Sequence, residues 1–201
     1  MQRSEEWHKA RCGIITASRF KDVIGKGRNG YLKARADYME ELVLERLTGE
    51  PNMSSWGDSG RYGETMEEYA RLAYEAETGV IVKEMDFVIY PGLPYIGCSP
   101  DGFIGEDGGL EIKCPSSLRV QLRTVKSKQM PDEHKPQVQG NMWITGRAWW
   151  DFVSFDGRMP ENLRLFIQRI ERDNAYINML EKEIKQFEKE TNLFLDELLA
   201  A

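Results

Sequence analysis

The sequence predicts an α/β protein: a mixed central β-sheet flanked by helices, with a long helix at the C-terminus. Three observations lead there. Short runs rich in Val, Ile, Phe, Tyr and Trp recur at residues 80–90, 95–99, 110–114, 148–155 and 163–170. Gly, Pro or polar residues bound them, which is strand behaviour. Between them, apolar residues fall three and four apart at 31–48, 61–78 and 136–144, the period of an amphipathic helix. The longest such stripe runs from 172 to 199 through Ile177, Leu180, Ile184, Phe187, Thr191, Phe194 and Leu198. It is expected to pack on the sheet or to pair with another subunit. The chain has 201 residues, no internal repeat and no low-complexity linker, so it reads as one domain over 1–201.

The elements follow in order. Ser4 ahead of Glu5 and Glu6 is a helix start. That helix runs to Gly13 and puts Trp7 and Arg11 four apart on one face. Thr16 or Ser18 could cap a second short helix ending at Gly25. A helix N-terminus with a hydroxyl suits phosphate, and Arg11 could add a guanidinium fork. KGRNG at 26–30 is a basic turn. Helix 31–48 has Leu32, Tyr38, Met39, Leu42, Val43 and Leu47 as its apolar positions, and Gly49 stops it. The loop EPNMSSWGDSG carries Met53 and Trp56, which either fold onto the core or touch the end of a nucleic acid. Helix 61–78 has Met66, Tyr69, Ala70, Ala73 and Tyr74 as its apolar face, with Glu64, Glu67, Glu68 and Arg71 along the rest. The helix at 117–125 carries Arg119 and Arg123. The helix at 136–144 buries Val138, Met142 and Trp143 and carries the amides Gln137, Gln139 and Asn141.

The most informative stretch is YIGCSPDGFIGEDGGLEIKCP at 95–115. Side chains alternate along a strand, so Glu111 and Lys113 share a face and Ile112 points the other way, toward the core. The glycine turn at Gly105, Gly108 and Gly109 can fold Asp101 back beside Glu111. Two carboxylates at one spot repel, and a hard divalent cation, Mg²⁺ or Mn²⁺, relieves that repulsion. A lysine beside the metal can orient or deprotonate a water and offset phosphate charge, which are the parts needed for metal-assisted phosphodiester hydrolysis. The spacing resembles the PD-(D/E)xK nuclease signature. A glutamate of helix 61–78 could also reach the site, and position alone does not choose between Glu64 and Glu67.

Composition sets the remaining bounds. No apolar run reaches the length of a membrane span, and the N-terminus has no signal-peptide pattern. Cys12, Cys98 and Cys114 lack CxxC spacing, which argues against a disulfide framework or zinc site and fits a reducing cytoplasm. A single histidine, His8, does not make a metal site. The net charge of −6 is unevenly spread. Residues 1–35 carry nine Lys/Arg against three Asp/Glu, residues 113–135 six against two, and residues 40–111 four against sixteen. Acidic groups thus dominate the centre, where metal ligands would lie, and two basic segments could hold phosphates.

Five stretches then occur in a telling order: EEWHKARCGIITAS, YGETMEEYAR, SPDG, GLEIKCP and QVQGNMWITG. Together they resemble the phage lambda exonuclease branch of the YqaJ-type viral recombinase family. The resemblance implies a restriction-endonuclease-like core and processive 5′→3′ degradation of one strand of linear double-stranded DNA, with Mg²⁺. It implies that Asp101, Glu111 and the Ile112 carbonyl are metal ligands. Lys113 would position or activate the water, and Gln137 would contact that water or the scissile phosphate. The family's helical glutamate precedes an Ala-Arg pair by three residues, which selects Glu67 ahead of Ala70-Arg71. Arg11, Ser18 and Ser99 resemble its pocket for the 5′-phosphate. The family also implies a homotrimeric ring around DNA and a single-strand annealing partner, with Met53 and Trp56 as the loop that separates strands. A repair endonuclease with the same site, or a non-catalytic DNA-binding or assembly subunit, is the alternative. The presence of Asp101, Glu111 and Lys113 speaks against loss of catalysis.

Overall fold

The computed structural model describes residues 4–52 and 58–200. Met53 and Trp56 lie outside the described residues. Helix α1, Glu5–Arg11, starts where expected: the Ser4 hydroxyl accepts from the Trp7 N–H at 3.2 Å. Strand β1, Ile15–Thr16, leads through a 3₁₀ turn, Ala17–Arg19, into α2, Phe20–Ile24. Neither Thr16 nor Ser18 caps this segment; their hydroxyls lie 3.3 Å from each other, and no side-chain cap bond forms. The basic turn is a small hairpin, β2 Lys26–Gly27 with β3 Gly30–Tyr31. Helix α3 spans Lys33–Thr48 and stops at Gly49, whose φ of 70° is the left-handed conformation that glycine accepts without a Cβ clash. The predicted apolar positions divide: Tyr38, Leu42 and Val43 are buried, whereas Leu32 and Leu47 are exposed. Helix α4 spans Asp58–Thr78.

Strand β4, Val88–Ile89, pairs antiparallel with β5, Ile96–Cys98, which also pairs parallel with β1. Strands β6, Gly102–Ile104, and β7, Gly108–Lys113, form the glycine hairpin. Helix α5, Leu118–Ser127, and a 3₁₀ turn at Asp132–His134 precede α6, Lys135–Thr145. Strand β8, Trp149–Phe155, pairs parallel with β7 and antiparallel with β9, Leu165–Glu171; α7, Glu161–Arg164, sits between them in sequence. The four-stranded sheet, in order β6-β7-β8-β9, is therefore mixed. Helix α8, Asn174–Leu199, ends the chain, capped by Asp173 accepting from the Tyr176 N–H.

Burial explains why β7 can carry chemistry. On one face, Leu110 and Ile112 pack with Ala70 and Tyr74 of α4 and Val153 of β8. The opposite face carries Glu111 beneath α6. Ile112 faces the core, as alternation requires. A residue on β7 is thus held from both sides.

Two expectations need correction. Residues 80–90 are not one long strand. Lys83 makes a single bridge with Phe103, and only Val88–Ile89 forms a strand, against β5. The segment is polar at Lys83, Glu84 and Asp86, and it passes from the edge of one sheet to the edge of the other. The C-terminal stripe does not lie on the sheet either. Ile177, Leu180, Ile184, Phe187 and Thr191 are buried against α2, α3 and α6. Helices already cover that side of the sheet, so α8 completes a helical layer. No described helix is long and apolar enough to cross a membrane.

Candidate active site

The β6–β7 hairpin folds Asp101 back, as its glycine turn permits. Gly102 pairs with Leu110, and Asp101 Oδ2 accepts the Ile112 N–H at 2.6 Å. Glu111, only 1% exposed, receives three donors. Its Oε1 accepts from Lys113 Nζ at 2.5 Å and from Gln137 Nε2 at 2.6 Å. Its Oε2 accepts from Asn141 Nδ2 at 3.0 Å. Asp101, Glu111, Lys113 and Gln137 therefore converge. Burial first, then the charges of Glu111 and Glu67, push the Asp101 carboxyl well above the ordinary carboxylate range. At Lys113 burial works against the charge, but Glu111 and Asp101, with Glu67, outweigh it and hold the ammonium above its usual pKa. The field of Glu67 reaches both groups, which places α4's glutamate beside the site.

The chemistry of the donors suits a hard cation. The two carboxylates and the carbonyls of the strand offer oxygen ligands, and the charges of Glu111 and Glu67 crowd the buried Asp101. Among the described residues no three His, Cys, Asp or Glu side chains form a cage. A cation that keeps several waters and takes one or two carboxylates, as Mg²⁺ does, matches that donor set better than zinc.

Two participants escaped the sequence reading. Asn141 is buried and touches Glu111, one turn after Gln137 on the same helix face. That four-residue spacing was the available signal. The other is Trp7, whose indole Nε1 donates to Ser99 Oγ at 3.1 Å. Gln139 turns the other way, donating to the Glu171 carbonyl and accepting from the Asp173 N–H.

Arg11 and Ser99 come together as expected, with Arg11 Nη1 donating to Ser99 Oγ at 2.9 Å. The guanidinium lies 4.1 Å over the Trp7 ring, and burial lowers its pKa. Among the described residues no carboxylate forms an ion pair with it. Arg11 also lines a cavity of about 420 Å³ with Thr16, Ser18, Arg19, Glu41 and Glu45. Arg19 itself is neutralised by Asp22 and Glu41. Glu45 accepts from the Gly13 and Asn52 N–H groups, and a half-buried guanidinium facing this cavity is suited to receive an anion. A second cavity, of about 260 Å³, opens beside Lys113 and is lined by Ser116, Ser117, Thr124 and His134.

Comparison with known proteins agrees with this geometry. The family model described as the YqaJ-like viral recombinase domain matches residues 6–148. Curated protein sequences give no significant match. A crystal structure of an alkaline exonuclease from Laribacter hongkongensis is similar at 38% identity with a TM-score of 0.90, covering 98% of this chain and 97% of that one. The same exonuclease in complex with dAMP is similar at 39% identity, also with a TM-score of 0.90, over 97% of this chain and 96% of that one. A phage-related exonuclease from Haemophilus somnus shares the fold, at 16% identity and a TM-score of 0.71, over 92% and 96% of the two chains. The fold is the restriction-endonuclease-like α/β fold. From the hairpin site and a match over most of its length, this chain belongs to the YqaJ-like viral recombinase domain family.

Proposed function

We propose that the chain is a processive 5′→3′ exonuclease that degrades one strand of linear double-stranded DNA, prefers 5′-phosphorylated ends and uses Mg²⁺, with Mn²⁺ as a substitute. One observation carries the reading: Asp101, Glu111 and Lys113 converge with Gln137 on one hairpin under α6. The similarity to a DNA-acting exonuclease family supports it.

Asp101, Glu111 and the Ile112 carbonyl would hold the cation, with Glu67 as a further acid. A cation held there would supply Lewis-acid polarisation of the phosphoryl oxygen and a more acidic water. The protein's own groups do the rest. The Lys113 ammonium orients the attacking water and offsets charge on the phosphate. Gln137, tethered to Glu111, offers its amide to that water or to the scissile phosphate. Arg11, Ser18 and Ser99 hold the terminal 5′-phosphate, so the first phosphodiester lies over the carboxylates. The water oxygen bonds to phosphorus as the P–O3′ bond breaks; the water loses a proton and the departing O3′ gains one. The released nucleotide keeps its 5′-phosphate, and the shortened strand gains a new one. That new phosphate can enter the Arg11 pocket in turn, which favours repeated cutting from one end.

The 3′ single strands left behind would serve recombination through a single-strand annealing protein. A closed homotrimeric ring around the duplex would make dissociation slow and degradation processive. The loop with Met53 and Trp56 would separate the strands. The cytoplasm of a bacterial or phage-infected cell is the expected site of action. The test compares linear duplex with and without a 5′-phosphate, and closed circular plasmid, in Mg²⁺ and in EDTA. Expected are strand-selective digestion of linear DNA, faster with the phosphate, and loss of digestion in EDTA or on Lys113→Ala. Equal cutting of closed circular DNA would overturn the exonuclease reading.

A further inference from the structure

We propose that Asn141 is a positioning residue that fixes the carboxylate plane of Glu111 for metal binding; this rests on the metal-site reading above. Glu111 is enclosed, and its two oxygens are unequally engaged. Among the described residues, Oε1 takes both Lys113 and Gln137, whereas Oε2 takes Asn141 alone. The terminal torsion of a glutamate is broad and roughly two-fold, so donors to one oxygen alone leave the plane free to turn. Asn141 Nδ2 at 3.0 Å from Oε2 removes that freedom.

The other end of the same amide shows why an asparagine stands there. Asn141 Oδ1 is buried and, among the described residues, finds no hydrogen-bond partner. An orphaned buried acceptor costs stability. Turning the amide over would set Oδ1 against a carboxylate oxygen, so the orientation is fixed by Glu111. Stability alone would favour an apolar side chain of similar volume, beside Val138, Met142 and Trp143 in the buried face of α6. The donor to Glu111 is what the asparagine adds. Gln137 and Asn141 are four residues apart on α6, so one helix face delivers both amides to one strand residue.

The test is Asn141→Leu, read by Mn²⁺ and Mg²⁺ binding to the DNA-free protein by calorimetry, beside a thermal melt. Loss of an outer hydrogen-bond partner typically weakens metal binding by roughly 10–100-fold, and that loss is expected here. The melting temperature is expected to change by no more than about 4 °C, because leaving Glu111 Oε2 without its donor is offset by removal of the orphaned Oδ1. Asn141→Ser, whose hydroxyl falls short of Glu111, gives the same comparison if leucine prevents folding. Unchanged cation affinity in the variant would overturn the inference alone, and a lowered melting temperature with unchanged affinity would mark Asn141 as structural only. A wild-type protein that binds neither cation would sink the metal-site reading and this inference with it.

Discussion

Gly140 separates the helix that serves Glu111 from the fully buried Phe20. A Cβ at Gly140 would lie 2.6 Å from Phe20 Cδ2 and Cε2 and 3.4 Å from the Ala17 Cβ. Carbon atoms pack at about 3.5–4.0 Å, so Gly140→Ala requires roughly 1 Å of movement. Phe20 is 0% exposed and sits in the main core, where it cannot swing aside. The displacement therefore falls largely on α6, which carries Gln137 and Asn141 to Glu111. Overpacking costs about 1–3 kcal/mol, and replacing a helical glycine by alanine returns about 1 kcal/mol. The net loss is about 0–2 kcal/mol, or up to roughly 8 °C in melting temperature for a chain of this size. The functional loss should be larger, because a misplacement of about 1 Å can cost on the order of 100-fold in rate. The assays are a thermal melt and digestion of linear duplex in Mg²⁺. Phe20→Leu combined with Gly140→Ala should recover part of both losses, as coupled neighbours do. A Gly140→Ala protein with a raised melting temperature and wild-type digestion would refute the reasoning.

Three further outcomes follow from single contacts. Arg11→Ala should reduce the rate difference between phosphorylated and unphosphorylated ends while leaving cation binding unchanged; competition between the two DNA ends measures it, and an undiminished preference would remove Arg11 from the phosphate pocket. Tyr74→Phe deletes the hydroxyl that donates to Asp151 at 2.7 Å, while Arg169 still holds that carboxylate through two bonds. Denaturant melts should show a loss of about 1–2 kcal/mol. His134 stacks on Phe152 at 5.3 Å between ring centroids, and burial, then Lys113 and Lys21, lower its pKa to about 3. Its Nε2 is 3.6 Å from a Glu133 oxygen, but a neutral ring makes no ion pair there. The unfolded chain takes up this proton near pH 6.5 and the folded protein does not. The stability from keeping His134 neutral is thus full above pH 6.5 and lost as pH falls toward 3. His134→Gln should flatten the fall in melting temperature between pH 7 and pH 5.

The hairpin was legible because its signals are local. Alternation fixes the faces of Glu111 and Lys113, and glycines at 105, 108 and 109 permit the tight return to Asp101. The pairing of Arg11 with Ser99 came only with the family resemblance, since 88 residues separate them. Residues 80–90 were misread because apolar content marks a segment that can pair, not the sheet edge it reaches. The α8 stripe was found, but its neighbours were not: an amphipathic face shows that something covers it, and α2, α3 and α6 are fixed only by the tertiary fold. Asn141 was visible as an amide on a buried helix. Its target was not, because Glu111 lies 30 residues away on a strand.

The most direct test is anomalous diffraction from crystals of the protein soaked in Mn²⁺. A peak within bonding distance of carboxylate oxygens of Asp101 and Glu111 is expected, weakened or absent in Asp101→Asn. A protein that digests DNA while its manganese sits elsewhere, with no peak between these two carboxylates, would contradict the metal-site reading.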